Sequence, residues 1–245
     1  MMVKQYILDR IKNGTIHATL IDPNKQSVEK AGEMAKTVKE AGTDIFFVGG
    51  SSGVTAENLS ATAKAIKEAS GLPAVHFGGP PDSLSNEIDA VLFLKVVNST
   101  DPLFLTFGHV AAAPIIAKLG LESISTGYVI VEPGMTVAKV TKAKVVKQDD
   151  IEAAVAYALA CKMFGFDLIY FEAGSGAYKP VPPAMIKAIK SSVDIPLIVG
   201  GGITTPEAAK AAREAGADII VTGTLLERGA SLDVLSSVIS AAKGN

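Results

Sequence analysis

The chain has 245 residues, of which 48% are hydrophobic and 20% charged, with a formal net charge of −2. That supplies ample core material and offers no basic block of the kind nucleic-acid binding draws on, so no nucleic-acid partner is expected. A lone Cys161 cannot form an internal disulfide, which fits a reducing cytoplasm, and its apolar surroundings mark it as a small buried hydrophobe.

Residues 1–10 carry charges and lack the apolar run of a signal peptide. No stretch approaches the ~20 apolar residues that cross a bilayer. The most apolar segment, 102–119, is interrupted by Gly108, His109 and Pro114. A soluble, cytoplasmic protein without a transmembrane segment is expected, and a lipid-like substrate is compatible with it.

Short β-favouring runs alternate with helical patterns along the chain, the signature of a parallel sheet with crossover helices. The first strand covers 15–21 and ends at Asp22-Pro23-Asn24. A helix follows over 27–41, with Val28, Ala31, Ala35 and Val38 on one face. The second strand, 44–48, runs into Gly49-Gly50-Ser51-Ser52-Gly53, and Thr55 then caps a helix to about residue 69 in a Thr-x-x-Asn pattern. The third strand covers 73–77. Between it and a fourth strand over 90–96 there is room for a turn or two, too little for a full crossover helix.

A helix over 101–119 precedes a fifth strand over 123–131. Residues 132–146 mix β-branched residues, Lys and Gly without helical period, and read as an extended excursion or a lid. Asp149 and Asp150 open a helix to residue 164. The sixth strand, 166–171, ends in Glu172-Ala173-Gly174-Ser175-Gly176. Pro182-Pro183 start the next helix, and a seventh strand over 195–199 meets Gly200-Gly201-Gly202. The eighth strand, 218–221, meets Thr222-Gly223-Thr224, and Ser231 caps a last helix to Lys243. Eight strands with one shortened third βα unit specify a (β/α)8 TIM barrel. No linker or shift in composition divides residues 1–245, so one domain is expected.

In such a barrel the chemistry sits at the carboxyl ends of the strands. Three glycine-rich strand ends in succession, the last two after strands seven and eight, read as one phosphate site. Tyr170 and Glu172, two residues apart, point to the same face. There they form either a satisfied polar pair or a site that binds and activates a hydroxyl group. Asp22 either shapes an Asp-Pro turn or holds Mg²⁺, which takes one or two carboxylates plus substrate phosphates, and Ser51 adds a hydroxyl oxygen at the neighbouring strand end. His76, Lys95 and Glu132 also fall at strand ends. His17, His76 and His109 are dispersed and read as structural rather than as zinc ligands.

His17-Ala-Thr-Leu-Ile-Asp22-Pro23, Val48-Gly-Gly-Ser51-Ser-Gly, Tyr170-Phe-Glu172-Ala-Gly-Ser-Gly176, Val199-Gly-Gly-Gly202-Ile and Thr222-Gly-Thr224 together resemble the geranylgeranylglyceryl phosphate synthases of archaea, in the same order and over nearly the whole chain. The likeness is to the larger of that family's two groups. Its bacterial relatives carry Lys two places before the metal Asp, where this chain has Leu20, so no substrate-binding Lys is carried over there.

The resemblance implies attack of the sn-3 hydroxyl of sn-glycerol 1-phosphate on C1 of geranylgeranyl diphosphate, the first ether bond of archaeal membrane lipids. It implies Mg²⁺ at Asp22 and Ser51. It also implies a glycerol 1-phosphate site at Tyr170, Phe171, Glu172, Ala173, Gly174, Ser175, Gly176, Gly201, Gly202, Gly223 and Thr224. Glu172, with Tyr170, orients or deprotonates the attacking hydroxyl, and the protein is a homo-oligomer. A geranylgeranyl chain needs a long apolar groove; the residues from Leu92 to Phe107, with Phe93, Phe104 and Leu105, together with 128–135, are either its lining or ordinary core, and no groove residue is assigned. Two other readings stay open: a phosphate-binding barrel acting on a small phosphosugar, and a non-catalytic barrel that binds prenyl or phosphoglycerol groups.

Overall fold

The computed structural model describes residues 2–50 and 52–244. Eight parallel strands close into a barrel in strict sequence order, β1 (Ile16–Ile21), β2 (Ile45–Val48), β3 (Ala74–Phe77), β4 (Ala90–Val96), β5 (Glu122–Ile130), β6 (Leu168–Glu172), β7 (Leu197–Gly200) and β8 (Ile219–Thr222), with β8 pairing back onto β1. The expected TIM barrel is present. Each strand lies within two or three residues of the span its apolar run predicts.

Period-two alternation divides the barrel residues into an inner and an outer layer. Ala18, Ile45, Phe47, Val75, Leu92, Ile124, Tyr128, Leu168, Tyr170, Ile198 and Ile219 pack on one another inside. The intervening residues face the helices in two outer clusters. One joins β5–β8 to the later helices through Phe171, Val199 and Ile220, and the other joins β1–β4 to the earlier ones through Phe46, Val48 and Val91. The outer helices include α2 (Val28–Glu40), α3 (Ala56–Ser70), α6 (Ile151–Met163), α7 (Pro183–Ser192), α8 (Pro206–Glu214) and α10 (Leu232–Lys243). Local signals set their starts: Ser27, Asp150, Thr205 and Ser231 each accept a hydrogen bond from a first-turn amide. Thr55 and Asn58 complete a reciprocal capping box.

Three features depart from the expectations. Helix α1 (Val3–Ile11) was not expected. It inserts Val3 and Ile7 into the inner cluster and anchors its first turn on Glu122, the first residue of β5, through the amides of Val3 and Lys4. Residues 132–146 are not an extended excursion, for they contain helix α5 (Met135–Thr141). Its Met135, Val137 and Ala138 pack on the core, and burial there outweighs the modest helix propensity of Thr and Val. The helix expected over 101–119 begins as a π-turn (Leu103–Phe107) before α4 (Gly108–Leu119).

The third unit is shortened as expected. Only a 3₁₀ turn, Pro81–Ser83, stands between β3 and β4, so that connection supplies no full helix, and Phe93 packs instead on His109 of the following helix, ring centroids 4.7 Å apart. That gap shapes the cavity described next.

Candidate active site

Two hollows meet at the carboxyl ends of the strands. A small cleft is lined mainly by polar side chains and glycines, with Leu20, Tyr170, Glu172, Ser175, Gly201, Gly202, Thr204, Thr222, Gly223 and Thr224 beside the apolar Ile203 and Val221. Beside it lies a cavity of about 470 Å³ with Asp22, Lys25, Glu172 and Glu227 at one end. Its other end is apolar, with Leu92, Phe93, Leu94, Leu103, Phe104, Ala112 and Ile116. Leu20, Glu172 and Ser175 border both hollows.

Glu172 is the last residue of β6, facing inward in register with Gly200 of β7. The absence of a side chain at Gly200 is required, because a Cβ there would lie 2.4 Å from the Tyr170 hydroxyl and 2.8 Å from Glu172 Oε2. At Gly201, with φ of +83°, a Cβ would lie 2.4 Å from Glu172 Oε1 and 2.5 Å from the Gly174 amide nitrogen. Glu172 Oε1 accepts the Gly174 N–H at 2.6 Å, and the Tyr170 hydroxyl stands beside the carboxylate as a second stabilising donor to its charge. Burial pushes the Glu172 carboxyl up to about 7, against the opposing pull of those two donors. Tyr170 and Tyr128 are held well above the ordinary phenol range by burial and by the Glu172 charge, so both remain neutral donors. Beneath them Phe47, Phe77, Tyr128 and Tyr170 form an aromatic floor, with ring centroids 5.0 to 6.1 Å apart.

The loops after β6 and β8 are tied together. The Gly176 N–H donates to Thr224 Oγ1 at 3.1 Å, and Ser175 Oγ stands 3.4 Å from the same hydroxyl. Gly223 leads directly into the short helix α9 (Thr224–Glu227). Not every residue of the expected acceptor set reaches the cleft. Phe171 and Ala173 point into the outer apolar cluster, and both backbone polar groups of Ala173 are taken, its N–H by Gly200 O and its C=O by the Gly134 N–H.

Asp22 is buried at the mouth, packed against Gly50, where a Cβ would lie 2.3 Å from its Oδ2. Its Oδ1 accepts the Asn24 N–H at 3.0 Å, and burial, more than any other influence, raises its carboxyl. Ser51, its expected companion, lies outside the described residues. Two charged neighbours escaped the sequence reading. Lys25 Nζ bridges both carboxylate oxygens of Glu227 at 2.9 Å and stands 3.9 Å from Asp22 Oδ2. Lys25 was visible as the third residue after Asp22, whereas Glu227 lies 202 positions from Lys25 and carries no local signal.

Other strand-end residues have different surroundings. Lys95 stacks on the Phe164 ring on the outer face, 5.1 Å from its centroid. His17 is structural as expected, with Nδ1 on Thr43 and Nε2 on Thr222. His76 instead lines the large cavity, and neither ring nitrogen has a hydrogen-bond partner among the described residues. Among the described residues, no three His, Cys, Asp or Glu side chains gather as a metal cluster. Of the groove candidates, Leu92, Phe93, Phe104 and Tyr128 line the cavity. Leu105 and Phe107 do not, and Thr136, Val137, Val140 and Thr141 of α5 do instead.

Residues 8–242 match the family model described as the PcrB family. The geranylgeranylglyceryl phosphate synthase of Thermococcus kodakarensis is 45% identical over 231 residues, spanning 94% of this chain and 92% of that protein. The synthase of the same name from Thermofilum pendens is 46% identical over 226 residues, 92% and 88% of the two chains. The crystal structure of (S)-3-O-geranylgeranylglyceryl phosphate synthase from Thermoplasma acidophilum, in complex with substrate sn-glycerol-1-phosphate, superposes with a TM-score of 0.97 at 39% identity, covering 100% of both chains. With a family model matching nearly from end to end and relatives of this likeness, the chain belongs to the PcrB family.

Proposed function

We propose that this protein is a prenyltransferase that joins the sn-3 hydroxyl of sn-glycerol 1-phosphate to geranylgeranyl diphosphate and releases diphosphate. The observation that carries the reading is the position of Glu172, whose carboxylate borders both a small polar cleft and a long apolar cavity. A base at that junction can touch the hydroxyl of a phosphorylated acceptor and face the reacting carbon of an apolar donor. A crystallised relative bound to substrate sn-glycerol-1-phosphate supports that acceptor, and the relatives' name, geranylgeranylglyceryl phosphate synthase, supports a geranylgeranyl donor.

In this reading the acceptor phosphate rests on the loops of Ser175, Gly201-Gly202 and Gly223-Thr224. The Tyr170 hydroxyl and Glu172 orient the acceptor hydroxyl. Glu172 takes its proton as the oxygen bonds to C1, and the bond from C1 to the diphosphate oxygen breaks. The apolar cavity holds the prenyl chain away from water.

The surroundings of Asp22 fit a hard cation. The carboxylate is buried and lines the cavity, and one of its oxygens is committed to a backbone amide. This suits Mg²⁺ bound by one carboxylate together with substrate phosphate oxygens. Asp22, with Ser51, would hold the ion, which when bound neutralises charge on the departing diphosphate.

The test is to incubate radiolabelled glycerol 1-phosphate with geranylgeranyl diphosphate and Mg²⁺. Label should pass into the organic phase. Folded protein that leaves all label in water would refute the reading.

A further inference from the structure

The π-turn and α4 as far as Ala117 are without charge on any side, since residues 102–117 contain no charged side chain. One face, with Phe104, Gly108, His109, Ala112 and Ile116, lines the large cavity. The other carries Phe107, 65% exposed, and Val110, 64% exposed, while Leu103 at the rim is 51% exposed and also lines the cavity. A helix apolar all round is normally buried, so its outer face is left uncovered by the described residues. No described helix is long and apolar enough to cross a membrane. A face of this kind can lie in an interface instead.

Charge identifies the occupant. Across the cavity mouth stands α5, whose Val140 lines the cavity and is 42% exposed. The two rims are stitched together, for Thr100 donates to Lys142 O through N–H and hydroxyl, and Ser99 Oγ donates to Thr141 O. Residues 133–147 hold Lys139, Lys142, Lys144 and Lys147 and no Asp or Glu, and all four lysines are exposed. Lys118 on α4 adds a fifth, while Asp101, between the rims, is paired with Lys142.

From these exposed apolar side chains at a cavity mouth, and the exposed lysines carried on the same two segments, we infer that the face formed by residues 103–118 and 139–147 docks on an anionic lipid surface. Leu103, Phe107, Val110 and Val140 enter the headgroup layer, and the lysines meet its negative charge. An apolar substrate then passes between membrane and cavity without crossing water. That last step rests on the reading of the cavity as a prenyl site, whereas docking itself does not.

The measurement is co-sedimentation of the full chain with vesicles of phosphatidylglycerol or of phosphatidylcholine, without substrate. Binding should favour the anionic vesicles and weaken as salt is raised. Phe107→Glu/Val110→Glu should lower it at least about tenfold. Lys139→Glu/Lys144→Glu should lower it by about fivefold or more per charge. These residues lie outside the polar cleft, so both variants should keep the wild-type melting temperature and transfer rate on detergent-dispersed donor. No binding of the wild type to anionic vesicles, or full binding by Phe107→Glu/Val110→Glu, would overturn the inference. So would light scattering that shows this double variant dissociating a wild-type oligomer that ignores vesicles, because a second copy would then cover the face. A failed transfer assay with intact vesicle binding would count only against the proposed reaction.

Discussion

Glu172 is buried where a carboxylate is costly, yet two donors hold it in place. Its raised value sets a sign for stability. Folded, the group retains its proton up to about pH 7, whereas an ordinary exposed glutamate releases it near 4.5. The folded state therefore binds more protons between those values, and stability falls as pH rises through that window. Glu172→Gln removes the cost, so relative to wild type it should melt higher at pH 8 than at pH 5. The difference is at most roughly 2–3 kcal/mol, read from thermal melts at the two pH values. The same variant should lose about 10²–10⁴-fold in turnover, while calorimetry finds glycerol 1-phosphate still bound. Tyr170 and Glu172 were legible because a period of two places them on one face at a strand end. Lys25, Glu227 and His76 were not legible as a group, since strands far apart in sequence bring them to one cavity.

At the scale of elements, the acceptor cleft depends on bare backbone after β7 and on the tie between the loops after β6 and β8. Gly201→Ala sets a Cβ against Glu172 Oε1 and backbone at a positive φ. Transfer should fall by two orders of magnitude or more, with kcat falling along with kcat/KM. Thr224→Val removes the acceptor of the Gly176 N–H, and steady-state kinetics should show KM for glycerol 1-phosphate rising by about tenfold with a smaller change in kcat. Apolar runs ending in glycine announced the strands, and capping residues announced most helices. Helix α5 lacked such a start, since Gly134 precedes it and Thr136, Val137, Val140 and Thr141 favour strands, so tertiary packing decided its form. Helix α1 did leave a trace, with Val3, Ile7 and Ile11 four residues apart. Its role shows only once the inner cluster closes around it.

For the molecule as a whole, the abbreviated unit between β3 and β4 is the feature that separates this barrel from a fully covered one. Its length was readable from the spacing of two strands. Its consequence, a cavity running from Asp22 past the barrel rim to Ile116, was not, because strands and helices from both halves of the chain form the walls. At the charged end, Asp22→Asn should raise the Mg²⁺ concentration needed for half-maximal transfer by at least about tenfold. A Mg²⁺ titration of the rate checks this, and an unchanged requirement would remove Asp22 from the metal site. The central claim is that Glu172 passes chemistry between the two hollows. The most direct measurement is the pH profile of kcat for glycerol 1-phosphate prenylation by wild type and by Glu172→Gln. The wild-type rate should climb with pH and level out above about 7, and the variant should be slow and flat across the same range. A variant that turns over at the wild-type rate with the same profile would contradict the account.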